Sequence, residues 1–233
     1  MLSEREYMRT PRSRWWLSAT VVLVAINIVV YIIQTRILPD SFTKQYLELS
    51  LFGLHHGYVW QLITYQFLHG SIPHILLNCW ALFVFGRDVE WTVGKPRFLA
   101  LYFSSGVIGG LFQMAAALLW PQYFGGLEHA AYEAVIGASA SVFGIVAAFA
   151  MLFPNQRLIM LLFFVIPLNI RARSLLWLVL IITTIGISLP NSSLVRLIGG
   201  NVAHFAHFGG ILTGIAVSRF YFLRFLPPRA ADE

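Results

Sequence analysis

The chain has 233 residues, 58% of them hydrophobic and only 11% charged, with a mean hydropathy of +0.73. A soluble domain carries roughly 25% charged residues, so composition excludes a soluble enzyme. It indicates one integral membrane domain over residues 1–233 with short cytoplasmic tails. The net charge of +6 sits at the ends of apolar runs and not in one patch, which gives no reason to expect a nucleic-acid partner.

Stretches of about 20 apolar residues mark helices that cross a bilayer. The first runs over Trp15–Ile37, too long for a signal-peptide core and without a small-residue cleavage site after it. A long segment, Leu38–Ser71, follows; Tyr58, Val59, Trp60, Leu62, Ile63 and Phe67 suit it to the membrane–water interface, although an ordinary outer loop has the same composition. Further spans are predicted over Ile72–Phe85, Phe98–Trp120, Val135–Phe153, Ser174–Ile187 and Val202–Leu223. The second and fifth are short, which a bundle tolerates by thinning the bilayer or burying helix ends. Leu158–Leu168 is interrupted by Pro167, is too short to cross, and reads as a re-entrant or interfacial piece. The predicted fold class is all-α: a polytopic bundle of six transmembrane helices.

Basic residues orient the bundle. With the N-terminus inside, the cytoplasmic side holds Arg5, Arg9, Arg12, Arg14, Arg87, Lys95, Arg97, Arg157, Arg171, Arg173, Arg219, Arg224 and Arg229, against Arg36, Lys44 and Arg196 outside. Positive charge favours the cytoplasmic side, so both termini are expected there. Short tails and the absence of a targeting segment suit a bacterial inner membrane.

The second, fourth and sixth spans then all descend from the outer face. His74 and Asn78 lie near the start of the second, Ser139 near the start of the fourth and His207 near the start of the sixth. At 1.5 Å per residue these groups fall roughly 3–9 Å below their helix starts, all at similar depth. His74 and Asn78 are four apart and share a helix face. His207, Gly210 and Gly214 form a stripe on which a neighbouring helix can come close, and Gly137, Ser141 and Gly144 offer a matching surface. A hydroxyl and an imidazole are costly in hydrocarbon; brought together they form a nucleophile with its base.

Each residue alone has a plainer reading. Ser139 suits a helix contact bonded to its own backbone, while His207 and Asn78 suit bonds between helices. His204 with His207, or His69 with His74, could ligate a metal, but no Cys, His or carboxylate set at that depth completes a zinc shell. No metal or other cofactor is therefore expected, and the single Cys79 reads as inert packing.

Leu68-His69-Gly70, His74-Ile75-Leu76-Leu77-Asn78, Gly137-Ala138-Ser139 and Ala206-His207-Phe208-Gly209-Gly210 with Gly214 resemble the rhomboid family of intramembrane serine proteases. The resemblance covers Trp60 to Leu223, and Glu90 and Gly94 also look like family positions. It implies Ser139 as nucleophile and His207 as general base, a dyad without a third carboxylate. It implies an oxyanion hole of His74, Asn78 and the Ser139 N–H, with Gly137, Gly210, Gly214 and His69 in support. Transmembrane proteins in the lipid bilayer are the substrates so implied, cut near the outer face.

Three positions depart from the family pattern. Ala140 stands where glycine usually follows the nucleophile, Phe143 where some members carry tyrosine, and Gln61 where arginine often follows the tryptophan. Ser141 and His204 are rival choices for the pair; Ser139 is preferred for its Gly-x-Ser context and His207 for its glycine stripe. Two other classes remain as alternatives: a non-catalytic relative that binds membrane clients, and a small transporter with a polar cavity. The transporter class usually shows internal repeats, and none is detected.

Overall fold

A computed structural model describes residues 18–162, 166–189 and 203–225. The expected starts of the first and sixth spans, at Trp15 and Val202, the tails and Arg196 lie outside them. Long helices are labelled in chain order: α1 (Ala19–Arg36), α2 (Ile72–Val93), α3 (Lys95–Leu119), α4 (Ser139–Leu152), α5 (Ala172–Ser188) and α6 (His204–Val217). Helix α6 continues as a wider π turn over Ser218–Phe222 and a last α turn, Leu223–Phe225.

Among the described residues, α1 and α3 are each long and apolar enough to cross a membrane. Gln61–Phe67 and α2 pass that test together, bent by 98° at their break. Helices α4 and α5 are apolar but shorter. Fourteen residues in α4 rise only about 21 Å, less than the roughly 30 Å of hydrocarbon.

Local signals set the helix ends. Ser18 opens α1 by accepting from Val21 N–H at 3.3 Å, and Glu90 of α2 reinforces that end. Its carboxylate accepts from Ala19 and Thr20 N–H at 2.7 and 2.9 Å, and from the Ser18 and Thr20 hydroxyls at 3.0 and 2.8 Å. A negative charge belongs there, because the first N–H groups of a helix lack partners. Helix α2 begins at the Ser71 cap and runs past the predicted Phe85 to Val93. Arg87, Asp88 and Glu90 end the apolar run but not the helix; Gly94, at φ +84°, does that.

Helix α4 is enclosed by α2, α3, α5 and α6, with Ser141, Ile145, Ala147 and Ala148 fully buried. A helix apolar all round belongs in such a centre. Close approach is possible because small residues meet. A Cβ on Gly210 would collide with the Ala140 carbonyl, and one on Gly214 with the Gly144 carbonyl. On α3, a Cβ on Gly109 would lie 2.5 Å from the Ala206 carbonyl oxygen and 2.7 Å from the Ala140 methyl.

The outer layer faces elsewhere. Val29 and Ile32 of α1, Leu76 and Trp80 of α2, and Trp177 and Ile181 of α5 are each more than half exposed. An apolar surface this extensive fits an integral membrane protein, which presents it to lipid.

Two expectations are corrected: the start of the fourth helix, and a fold of helices alone. The helix predicted over Val135–Phe153 starts only at Ser139. Val135 instead pairs with Leu49 through bonds of 2.8 and 3.1 Å, and Gly137 takes φ +122°, a region closed to helix. The stretch around Leu158–Leu168 forms a β-hairpin, β1 (Arg157–Leu162) against β2 (Ile166–Arg171) in antiparallel register from Arg157↔Arg171 to Leu162↔Ile166. Bonds from Ala172 N–H to Gln156 and Arg173 N–H to Pro154 close its base, returning the chain directly into α5.

Candidate active site

The segment Leu38–Ser71 is part of the fold and not a loose loop. Gln61 and Gln66 are fully buried, whereas Val59 (64% exposed), Trp60 and Ile63 face outward. That inverted pattern holds because each buried amide bonds inside the protein. Gln61 donates to the Gln45 carbonyl at 3.0 Å and accepts from Ser50 N–H at 3.3 Å. Gln66 donates to the Leu62 carbonyl at 2.7 Å and accepts from the Ser141 hydroxyl at 3.1 Å. Gln61, in place of the family's arginine, therefore ties the segment to itself.

This segment delivers Ser139. Leu49 pairs with Val135, and the Tyr65 carbonyl accepts from Gly137 N–H at 2.9 Å. Clamped at both points, the chain passes Ile136 and Gly137 without helix and turns into α4 at Ser139. The serine is thus the first residue of its helix, and its place is set by the non-helical segment before it and not by turns of helix.

His207 is the fourth residue of α6. Gln113 of α3 accepts from Ala206 N–H at 3.2 Å and so steadies the helix start beside it. The glycine contacts press α6 onto α4, and His207 Nε2 lies 2.7 Å from Ser139 Oγ. The Phe143 ring lies against the imidazole, centroids 4.4 Å apart, keeping the aromatic face expected at that position. His207 is buried, whereas Ser139 and Phe143 are half-buried. With the ring proton on Nδ1, bare Nε2 accepts from the serine hydroxyl, as a general base must.

His74 is carried to the same place from α2. A Cβ on Gly137 would lie 2.8 Å from His74 Cε1 and Nε2 and 3.7 Å from Ser139 Oγ. Ring and hydroxyl thus flank one backbone position. His69 stands edge-on behind His74, centroids 5.0 Å apart. Asn78 is buried one turn further along α2, and the bond it makes is to its own helix, Nδ2 donating to the His74 carbonyl at 3.0 Å. Ala138 offers no side-chain cap, so the first N–H groups of α4 meet no capping side chain at Ser139 and form an electropositive helix end.

The rival residues are occupied elsewhere. Ser141 bonds Gln66; His204 fills the space left by Gly186 of α5. The Ala140 methyl faces Gly109 of α3, which accommodates it. Among the described residues no three of His, Cys, Asp and Glu converge as a metal site. Sequence reasoning missed Gln34, Gln66 and Gln113. Their signal was available: amides within or beside apolar spans, where each needs a partner.

Comparison with known proteins bears on this arrangement. The model of the Rhomboid domain matches residues 56–224. Rhomboid protease AarA of Providencia stuartii is 29% identical over 228 residues, covering 89% of this chain and 73% of that protein. YdcA of Bacillus subtilis, named for the rhomboid proteases, is 34% identical over 106 residues, 45% of this chain and 47% of its own length. Inactive RHOMBOID-like protein 8 of Arabidopsis thaliana is 31% identical over 83 residues, 36% of this chain and 23% of that protein. The match to YdcA thus spans about half of that relative.

Proposed function

The chain belongs to the rhomboid family, and from that premise we propose that it is an intramembrane serine endopeptidase. The observation that carries the reading is the 2.7 Å contact of Ser139 Oγ with His207 Nε2 at the start of α4. Ser139 Oγ attacks the substrate carbonyl carbon while its proton passes to His207 Nε2. The oxyanion is held by the Ser139 N–H and His74, with Asn78 one turn behind; such donors are worth about 3–4 kcal/mol each. His207 then gives the proton to the leaving amine as the C–N bond breaks. Water, deprotonated by His207, attacks the acyl-enzyme and frees the carboxylate product and the serine.

The substrates proposed are membrane proteins cut in or near a transmembrane segment on the outer side. Such a segment must unwind before its peptide carbonyl is accessible, and glycine or proline makes unwinding cheaper. The protein is proposed as a single domain of six spans with both termini cytoplasmic, in a bacterial inner membrane. In this proposal α4 and α5 span despite their length, with the non-helical residues 135–137 and the β-hairpin lengthening the path. One relative is named inactive, so the alternative is a protein that binds membrane clients without cutting them.

The test is cleavage of a model transmembrane substrate in liposomes, with fluorophosphonate labelling of the protein alongside. Wild type is expected to cleave and to be labelled on Ser139. Ser139→Ala and His207→Ala are expected to lose both while keeping their melting temperature. Cleavage by purified Ser139→Ala rejects the mechanism; an intact, unlabelled wild type that still holds the substrate supports the client-binding alternative.

A further inference from the structure

Gln34 lies in the last turn of α1, half-buried, at a position where a free amide would be costly in an apolar span. Both halves of its carboxamide go to one residue of the outer segment. His69 N–H donates to Gln34 Oε1 at 3.0 Å, and Gln34 Nε2 donates to the His69 carbonyl at 3.2 Å. This two-point attachment fixes the His69 backbone against α1 far more closely than one bond would.

The attachment continues towards the site. The His69 side chain is 1% exposed, its Nδ1 lies 3.2 Å from the Phe67 carbonyl, and its Nε2 has no hydrogen-bond partner among the described residues. With backbone and Nδ1 held, the ring has little freedom, and its far side meets His74 edge-on at 5.0 Å and 66°. His74 is also confined by the Gly137 backbone, where not even a methyl group fits. The His74 imidazole is therefore held by two neighbours, one of which is fixed by α1.

We propose that Gln34 is a positioning residue, which through His69 holds the His74 imidazole at the place where an oxyanion forms beside Ser139. The role rests on the proposed protease reading. It gives α1 a part in the chemistry although the described bonds connect it to Ser139 only through other residues. A rate depends steeply on such placement: a misplacement of about 1 Å can cost on the order of 100-fold.

The experiment compares full-length wild type, Gln34→Met, His74→Ala and the double variant in liposomes, with Ser139→Ala as control. Gln34→Met keeps the side-chain length and removes both bonds. It is expected to lower kcat about tenfold with KM within about twofold, since His74 acts on the transition state more than on substrate binding. In the His74→Ala background, Gln34→Met is expected to add no further loss, because the group it positions is gone. The 15N resonances of the His74 ring, assigned by their absence in His74→Ala, are expected to shift in Gln34→Met.

Losses that multiply in the double variant, a change confined to KM, or unmoved His74 resonances would each overturn the role. Gln34→Glu keeps the acceptor for His69 N–H and is expected to recover part of the rate. If Gln34→Met does not fold, Gln34→Glu and Gln34→Asn enter the same cycle under the same criteria. Cleavage that survives Ser139→Ala overturns the reading of the site itself, and the positioning role with it.

Discussion

Gly137 shows how one residue serves two demands. Its φ of +122° lets the clamped strand turn into α4, and its missing side chain leaves room for His74. Gly137→Ala is expected to cost about 1–3 kcal/mol of stability and to lower cleavage at least tenfold, read from melting temperature and kcat; wild-type kcat in this variant would show that His74 is not confined there. Ala140 is the converse case. Its methyl packs towards Gly109 of α3. Ala140→Gly is therefore expected to keep kcat within about twofold and to lose no more than about 1 kcal/mol of stability through glycine's weaker helix propensity. The Gly-x-Ser context and the glycine stripe pointed to the residues that meet, because both describe local backbone needs. The rival choices, Ser141 and His204, are each occupied by a tertiary partner, Gln66 and Gly186 respectively.

At the level of helices, α4 and α6 are held by backbone contact and α1 by a charge. Gly214→Ala places a methyl against the Gly144 carbonyl and is expected to cost about 1–3 kcal/mol. It also pushes α6 away, so cleavage should fall with stability; unchanged values for both would show that the two helices have room to spare. Glu90 binds four donors at the start of α1, and Glu90→Ala is expected to cost about 1–2 kcal/mol, seen as a lower melting temperature in detergent. The long helices were legible from apolar runs, but their ends were not. Charges hid the last turns of α2, and the pairing of Val135 with Leu49 removed the first turn predicted for α4. Neither a distant hydrogen bond nor a β-hairpin formed from an apolar stretch leaves a mark in hydropathy.

For the molecule as a whole, the segment Leu38–Ser71 is the part that composition could not place. It runs at 98° to α2 in its last helical stretch, hides Gln61 and Gln66 and exposes Val59, Trp60 and Ile63, an arrangement stable where apolar groups meet lipid and these two amides bond within the protein. It also supports the strand that delivers Ser139, so Gln66→Ala is expected to lower both melting temperature and cleavage by leaving the Ser141 hydroxyl without its partner. A fall in neither would separate the segment from the site. By itself the sequence determined membrane residence, the helical class, the order of the chemical residues and the family they resemble, because apolar length, small-residue spacing and polar groups in hydrocarbon are properties of a linear chain. Tertiary structure alone decided that Ser139 opens its helix, that His207 reaches it, and that Gln34, Gln66 and Gln113 hold the parts in place. Those outcomes depend on which distant groups satisfy one another's hydrogen bonds once water is gone.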